Sequence, residues 1–129
     1  MISIKELRKN KKAYKDSLIK RGGAYDLGNI IKIDSKIREM KTRANDMRAQ
    51  RNAASESIGE LKKTGKNPSE AILKTRQLGY KLKDLETELN SFELNLKIML
   101  QKIPNIPHES VPDGLTANDN VEIRKWGKK

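Results

Sequence analysis

The sequence predicts an all-α fold: two short N-terminal helices packed on the base of a long antiparallel two-helix coiled-coil hairpin, then an extended Pro-rich C-terminal linker. Three observations predict it. Two apolar series recur in alternating steps of three and four residues, a short Gly/Asn/Pro break separates them, and the chain is 35% charged with only 4% aromatic residues. Such a composition suits long helices that bury a narrow seam and solvate the rest. At 129 residues there is one domain's worth of chain.

The first 25 residues supply the base. Ile4 and Leu7, then Tyr14, Leu18 and Ile19, mark two short amphipathic pieces that end at a turn, Arg21-Gly22-Gly23. The first arm helix is predicted over 27–63. Its seam runs Ile30, Ile33, Ile37, Met40, Ala44, Met47, then Ala54, Ile58 and Leu61, with Arg51 in the one missing place. The second, over 68–103, repeats the alternation through Leu78, Leu82, Leu85, Leu89, Phe92, Leu96, Met99 and Ile103. A 3–4 alternation averages 3.5 residues and draws a seam that another helix covers. The tip turn is 64–67. Gly65 can take the left-handed conformation that ends a helix. Asn67 can cap the next one, with Pro68 at its first position and Glu70 reaching back. So short a break makes the helices antiparallel neighbours, each roughly 50–55 Å long at ~1.5 Å per residue.

The apolar stripe widens around Phe92, Leu94, Leu96, Ile98, Met99 and Leu100, beside Leu27, Ile30, Ile31 and Ile33 in such a hairpin. The N-terminal pieces can cover that wide end, giving a helical foot under a long arm. Beyond Ile103, Pro104, Pro107 and Pro112 forbid helix. Val121 to Trp126 alternates apolar and charged residues and reads as one strand without a partner. Residues 104–129 are therefore expected to be a linker and first strand leading to a domain this chain lacks.

Net charge is +11, and it is placed unevenly. Residues 1–25 hold eight basic and two acidic side chains, 26–66 ten and six, 67–103 six and five, and 104–129 four and four. An excess of this kind favours polyanions. No cysteine is present, so disulfides and thiolate metal sites drop out. No run approaches the ~20 apolar residues of a membrane span, and the N-terminus has no signal core. A cytoplasmic chain without a membrane partner is expected.

Little here suits catalysis. His108, the single histidine, sits in the proline linker. Glu86 and Glu88 interleave with Lys81 and Lys83 and read as a solvated face of i,i+4 pairs. There is no Gly-rich phosphate loop and no metal-ligand cluster. The cations are more informative: Lys36, Arg38, Lys41, Arg43, Arg48 and Arg51 on the first helix, Lys62, Lys63 and Lys66 at the tip, and Arg76, Lys81 and Lys83 on the second. Most flank the seam, where they could neutralise phosphates along a nucleic acid. Arg51 either snorkels past Met47 and Ala54 as a register-setting residue or emerges with Asn52 to touch phosphate. Tyr80 is the one aromatic near the tip, so binding should read backbone and shape more than bases.

Several stretches resemble the N-terminal tRNA-binding domain of seryl-tRNA synthetases. They are Ile4-Lys5-Glu6-Leu7-Arg8-Lys9-Asn10, Lys20-Arg21-Gly22, Arg51-Asn52 with Ser55, Ile58 and Gly59, and Leu61-Lys62-Lys63. The most specific are Ile103-Pro104-Asn105-Ile106-Pro107-His108 and the ending from Asp119 to Gly127. In family order, they cover nearly the whole chain. The resemblance implies a domain of a homodimeric, ATP- and magnesium-dependent class II ligase. Its hairpin would hold the long variable arm and elbow of serine tRNA. No catalytic motif of that family is present, so this chain is expected to hold no cofactor, to be no enzyme itself and to be monomeric in isolation. The implied tRNA contacts fall among Lys36, Arg43, Arg48, Arg51, Asn52, Lys62, Lys63, Lys66, Arg76 and Lys81. Between Ser55 and Ile58 no lysine stands where relatives often carry one, which shifts the expected contacts toward Arg48, Arg51, Lys62 and Lys63. Replacing Arg43, Arg48, Lys62 and Lys63 together should weaken tRNA binding and spare helicity. The rival is a protein-interaction coiled coil, a scaffold or chaperone-like hairpin. Transcription cleavage factors also present a two-helix arm, but theirs ends in acidic residues and this one in Lys-Lys-Thr-Gly-Lys.

Overall fold

A computed structural model of the chain describes residues 2–19, 25–108, 110–114 and 116–127. The expected turn at Arg21-Gly22-Gly23 lies outside them. The described residues are all-α: α1 Ile4–Lys9, α2 Lys11–Ile19, α3 Leu27–Lys63 and α4 Ser69–Gln101, with a 3-10 turn at Ala117–Asp119. The long helices α3 and α4 pair as a hairpin. The chain falls into two compact units, residues 1–31 with 98–129, and residues 32–97.

In the first unit the two short helices bury Leu7, Tyr14 and Leu18, and the unit also buries Ile2, Leu27, Ile30, Leu100 and Ile103. Ile19, expected on the apolar face, is 60% exposed instead. Asp26 starts α3, its Oδ1 accepting from the Asn29 amide at 3.0 Å, a cap the sequence reading overlooked. The Tyr14 hydroxyl donates to Glu6 Oε2 at 3.0 Å. Burial, then this bond and the Glu6 charge, raise the phenol above its ordinary pKa of 10.0. The unfolded chain therefore ionises first, so Tyr14 stabilises fully below pH 10.0 and loses that contribution as pH rises through its folded value. Replacing Tyr14 with Phe should cost about 1–2 kcal/mol at neutral pH and flatten the alkaline limb of a pH-dependent melting series.

The second unit is built on the seam. Ile37, Met40 and Leu89 form its buried centre, with Ile33, Leu85, Phe92 and Leu96 packed against them. Ala44 and Leu82 are also buried. Farther along, Met47, Ala54, Ile58, Leu61 and Leu78 are only half-buried. Gly65, at φ 67°, turns the chain. The Lys66 amide reaches the Leu61 carbonyl at 2.9 Å and the Gly65 amide reaches that of Lys62 at 3.3 Å, a Schellman closure that needs the left-handed residue. Asn67 Oδ1 then accepts from the Ser69 amide at 3.0 Å, while the Pro68 carbonyl takes the Ile72 amide. Glu70 does not reach back; it pairs with Lys74 at 2.6 Å.

Two other expectations change. The wide stripe on α4 is not covered throughout, since Leu94 is 60% exposed. The segment 121–126 forms no strand; a ladder needs a second strand to bond, and none exists among the described residues. Ile123 stands 95% exposed there.

Candidate nucleic-acid interface

Charge within the second unit is polarised along the hairpin. Residues 48–83, which form the turn end, hold nine basic and three acidic side chains; 32–47 with 84–97 hold six and seven. Several of the cations are occupied by carboxylates: Lys36 pairs with Glu88 at 3.6 Å and stands 4.1 Å from the Phe92 ring centre. Lys41 pairs with Glu93 at 2.6 Å, and Arg38 with buried Asp34 at 3.2 Å. Arg48 gives Nη2 and Nε to Glu86 Oε1 at 2.6 and 3.2 Å and Nη1 to Asn45 at 2.8 Å. Glu86 and Glu88 thus bridge the two helices rather than making i,i+4 pairs along α4.

Among the described residues, Arg43, Arg51, Lys62, Lys66, Lys81 and Lys83 have no carboxylate partner. Lys63 is held by Glu60 at 3.0 Å. Arg51 is exposed, as is Asn52. Of the ten sequence-predicted contact residues, Lys36, Arg48 and Lys63 are therefore engaged in ion pairs inside the hairpin. Replacing Arg48 with Ala should lower the melting free energy by about 0.5–1 kcal/mol, the usual worth of a surface pair. Its effect on the salt dependence of nucleic-acid binding should be small, which a titration at several salt concentrations checks.

The turn end has two unlike sides. One groove, about 640 Å³, lies between the stripe Arg51, Ser55, Ile58 on α3 and Arg76, Gly79, Tyr80, Lys83 on α4, and no carboxylate lines it. The other concavity is lined by Glu56, Glu60 and Lys66. In the first, the Arg76 Nε donates to the Tyr80 hydroxyl at 3.0 Å. The sequence reading set Tyr80 aside and never considered Gly79. The i, i+4, i+7 spacing of Arg76, Tyr80 and Lys83 was the available signal. Among the described residues, no group of three or more His, Cys, Asp or Glu could hold a metal, and no helix is long and apolar enough to cross a membrane.

An α-hairpin with its basic excess toward the turn belongs to the class of helical arms that attract polyanions. Comparison with known proteins narrows that class. A family model, the seryl-tRNA synthetase N-terminal domain, matches residues 1–107. A serine–tRNA ligase of Exiguobacterium sibiricum is 43% identical over 130 residues, covering 100% of this chain and 31% of that protein. One from Desulfitobacterium hafniense is 38% identical over 98% of this chain and 30% of its own length. A crystal structure of seryl-tRNA synthetase from Pyrococcus horikoshii complexed with ATP superposes with a TM-score of 0.84 at 34% identity, covering 98% of this chain and 29% of that one. The chain belongs to the seryl-tRNA synthetase N-terminal domain family. It spans under a third of the length of the curated relatives it matches.

Proposed function

We propose that this chain is the tRNA-binding domain of a serine–tRNA ligase, grasping the long variable arm and elbow of serine tRNA through phosphate contacts. The observation that carries the reading is the set of unpaired cations on a hairpin of this family. Phosphates of an RNA helix laid along the hairpin would displace counterions from Arg43, Arg51, Lys62, Lys66, Lys81 and Lys83. Backbone contacts fix register without reading bases, so a long variable arm is recognised by presence and direction. Residues 1–103 act as the arm domain on this reading. Residues 104–129 connect it to a class II catalytic domain, with the segment from Asp119 to Gly127 pairing as a strand there. The tRNA's acceptor end is thereby presented for serylation in protein biosynthesis.

ATP and magnesium belong to the parent's catalytic domain. The described residues of this chain offer neither a metal-ligand cluster nor a phosphate loop, and no step is assigned to either group here. The parent is a cytoplasmic homodimer and the isolated domain a monomer. A protein-scaffold role has less support, because scaffolding gives no reason for the surplus of unpaired cations near the turn.

A gel-shift comparison tests the reading. Serine tRNA should be retarded at much lower protein concentration than a tRNA with a short variable arm. Equal retardation of the two would remove variable-arm recognition from the proposal.

A further inference from the structure

The groove between Arg51 and Tyr80 has properties that phosphate contact alone does not use. Its lining includes three cations, Arg51, Arg76 and Lys83, and no carboxylate. Tyr80 is 55% exposed within it. The Arg76 guanidinium carbon lies 5.8 Å from the ring centre, and its Nε is bonded to the hydroxyl. The hydroxyl bond draws the guanidinium to the oxygen edge of the ring, away from its centre. Gly79, one residue before Tyr80, would place an added Cβ in open space, with nothing within 4 Å. Glycine in a helix interior is less stable than alanine. Here it leaves room that no side chain of the hairpin fills.

We infer that one nucleotide of the bound RNA enters this groove, its base stacked on the Tyr80 ring and its flanking phosphates held by Arg51, Arg76 and Lys83. The inference rests on the tRNA-binding reading and adds a base contact to it. An aromatic ring accepts any base face, so the contact raises affinity without selecting sequence. The hydroxyl bond holds Arg76 at the ring's edge, where a phosphate following the stacked base would lie. The other concavity sets Glu56 and Glu60 beside Lys66, so the groove free of carboxylates is the side that better suits an RNA backbone.

The experiment measures binding of the full chain to an unmodified serine tRNA transcript, with helicity and melting temperature followed for each variant. Tyr80→Ala should weaken binding about tenfold while leaving the slope of affinity against salt unchanged, because a stacking contact releases no counterion. Tyr80→Phe, which keeps the ring, should bind close to the parent. Gly79→Leu should raise the melting temperature and weaken binding by filling the groove. Gly59→Leu adds the same bulk to α3 outside the groove, where an added Cβ also meets nothing, and should bind as the parent does. If Tyr80→Ala and Gly79→Leu both bind like the parent, the stacked nucleotide is wrong while the phosphate-held arm stands. If the parent chain fails to bind the transcript at all, the tRNA reading itself is overturned, and this inference with it.

Discussion

Raising monovalent salt from about 50 to about 200 mM is expected to weaken binding of this chain to serine tRNA by about a thousandfold. The size follows from the unpaired cations. Each phosphate neutralised in a double helix contributes about 0.9 to the slope of log affinity against log salt. Arg43, Arg51, Lys62, Lys66, Lys81 and Lys83 are free to contribute. Lys36 and Arg48 are not equivalent to them, because moving either to a phosphate would strand a carboxylate that bridges the two helices. The triple change Arg51→Ala, Lys62→Ala, Lys81→Ala should therefore cut the slope by about half, whereas the pair Arg48→Ala, Lys63→Ala should change it far less. Fluorescence anisotropy across five salt concentrations measures both slopes. A shallow parent slope, or equal slopes for the two variants, would show that these cations do not hold the phosphates.

That ranking was only partly legible in the sequence. The seam was readable because a 3–4 alternation is local: Ile37, Met40, Leu85 and Leu89 announce their shared face without knowledge of what lies opposite. The turn was readable for the same reason, with Gly65 and Asn67 doing what their backbone and side chain permit. The fate of Glu86 and Glu88 was not, since it depends on the register between α3 and α4. Heptad spacing gives each helix a stripe but does not align the two stripes. Once aligned, Arg48 meets Glu86 and Lys36 meets Glu88, and two candidate contact residues become braces. Arg51 with Gly79 and Tyr80 was hidden likewise, for the groove exists only where residues from opposite helices meet. The segment from Val121 to Trp126 marks another limit. Alternation states which faces a strand would present, but strand formation needs hydrogen-bonding partners that alternation cannot supply.

Leu89→Ala is expected to destabilise the hairpin by about 2–4 kcal/mol, whereas Leu73→Ala should cost under about 0.5 kcal/mol. Both residues lie on α4, and both are leucines in a helix where alanine has the better intrinsic propensity. The difference is burial. Leu89 is buried with Ile37 and Met40, so truncation loses transfer energy and leaves a cavity that a two-helix seam closes only partly. Leu73 is 59% exposed and leaves no cavity. Between these extremes, half-buried Leu78 should fall at about 1–2 kcal/mol. Stability thus declines from the buried centre of the seam toward the turn, where Arg51, Lys62 and Lys66 sit. Hydrogen exchange should accordingly show amides near Ile58 and Leu78 opening by local fluctuations at a free energy below that of amides near Met40 and Leu89. Uniform protection along both helices, or equal costs for Leu89→Ala and Leu73→Ala, would contradict this gradient. A cation-bearing end that opens more readily than its base can adjust to the curved backbone of an RNA while the seam around Leu89 keeps the two helices in register.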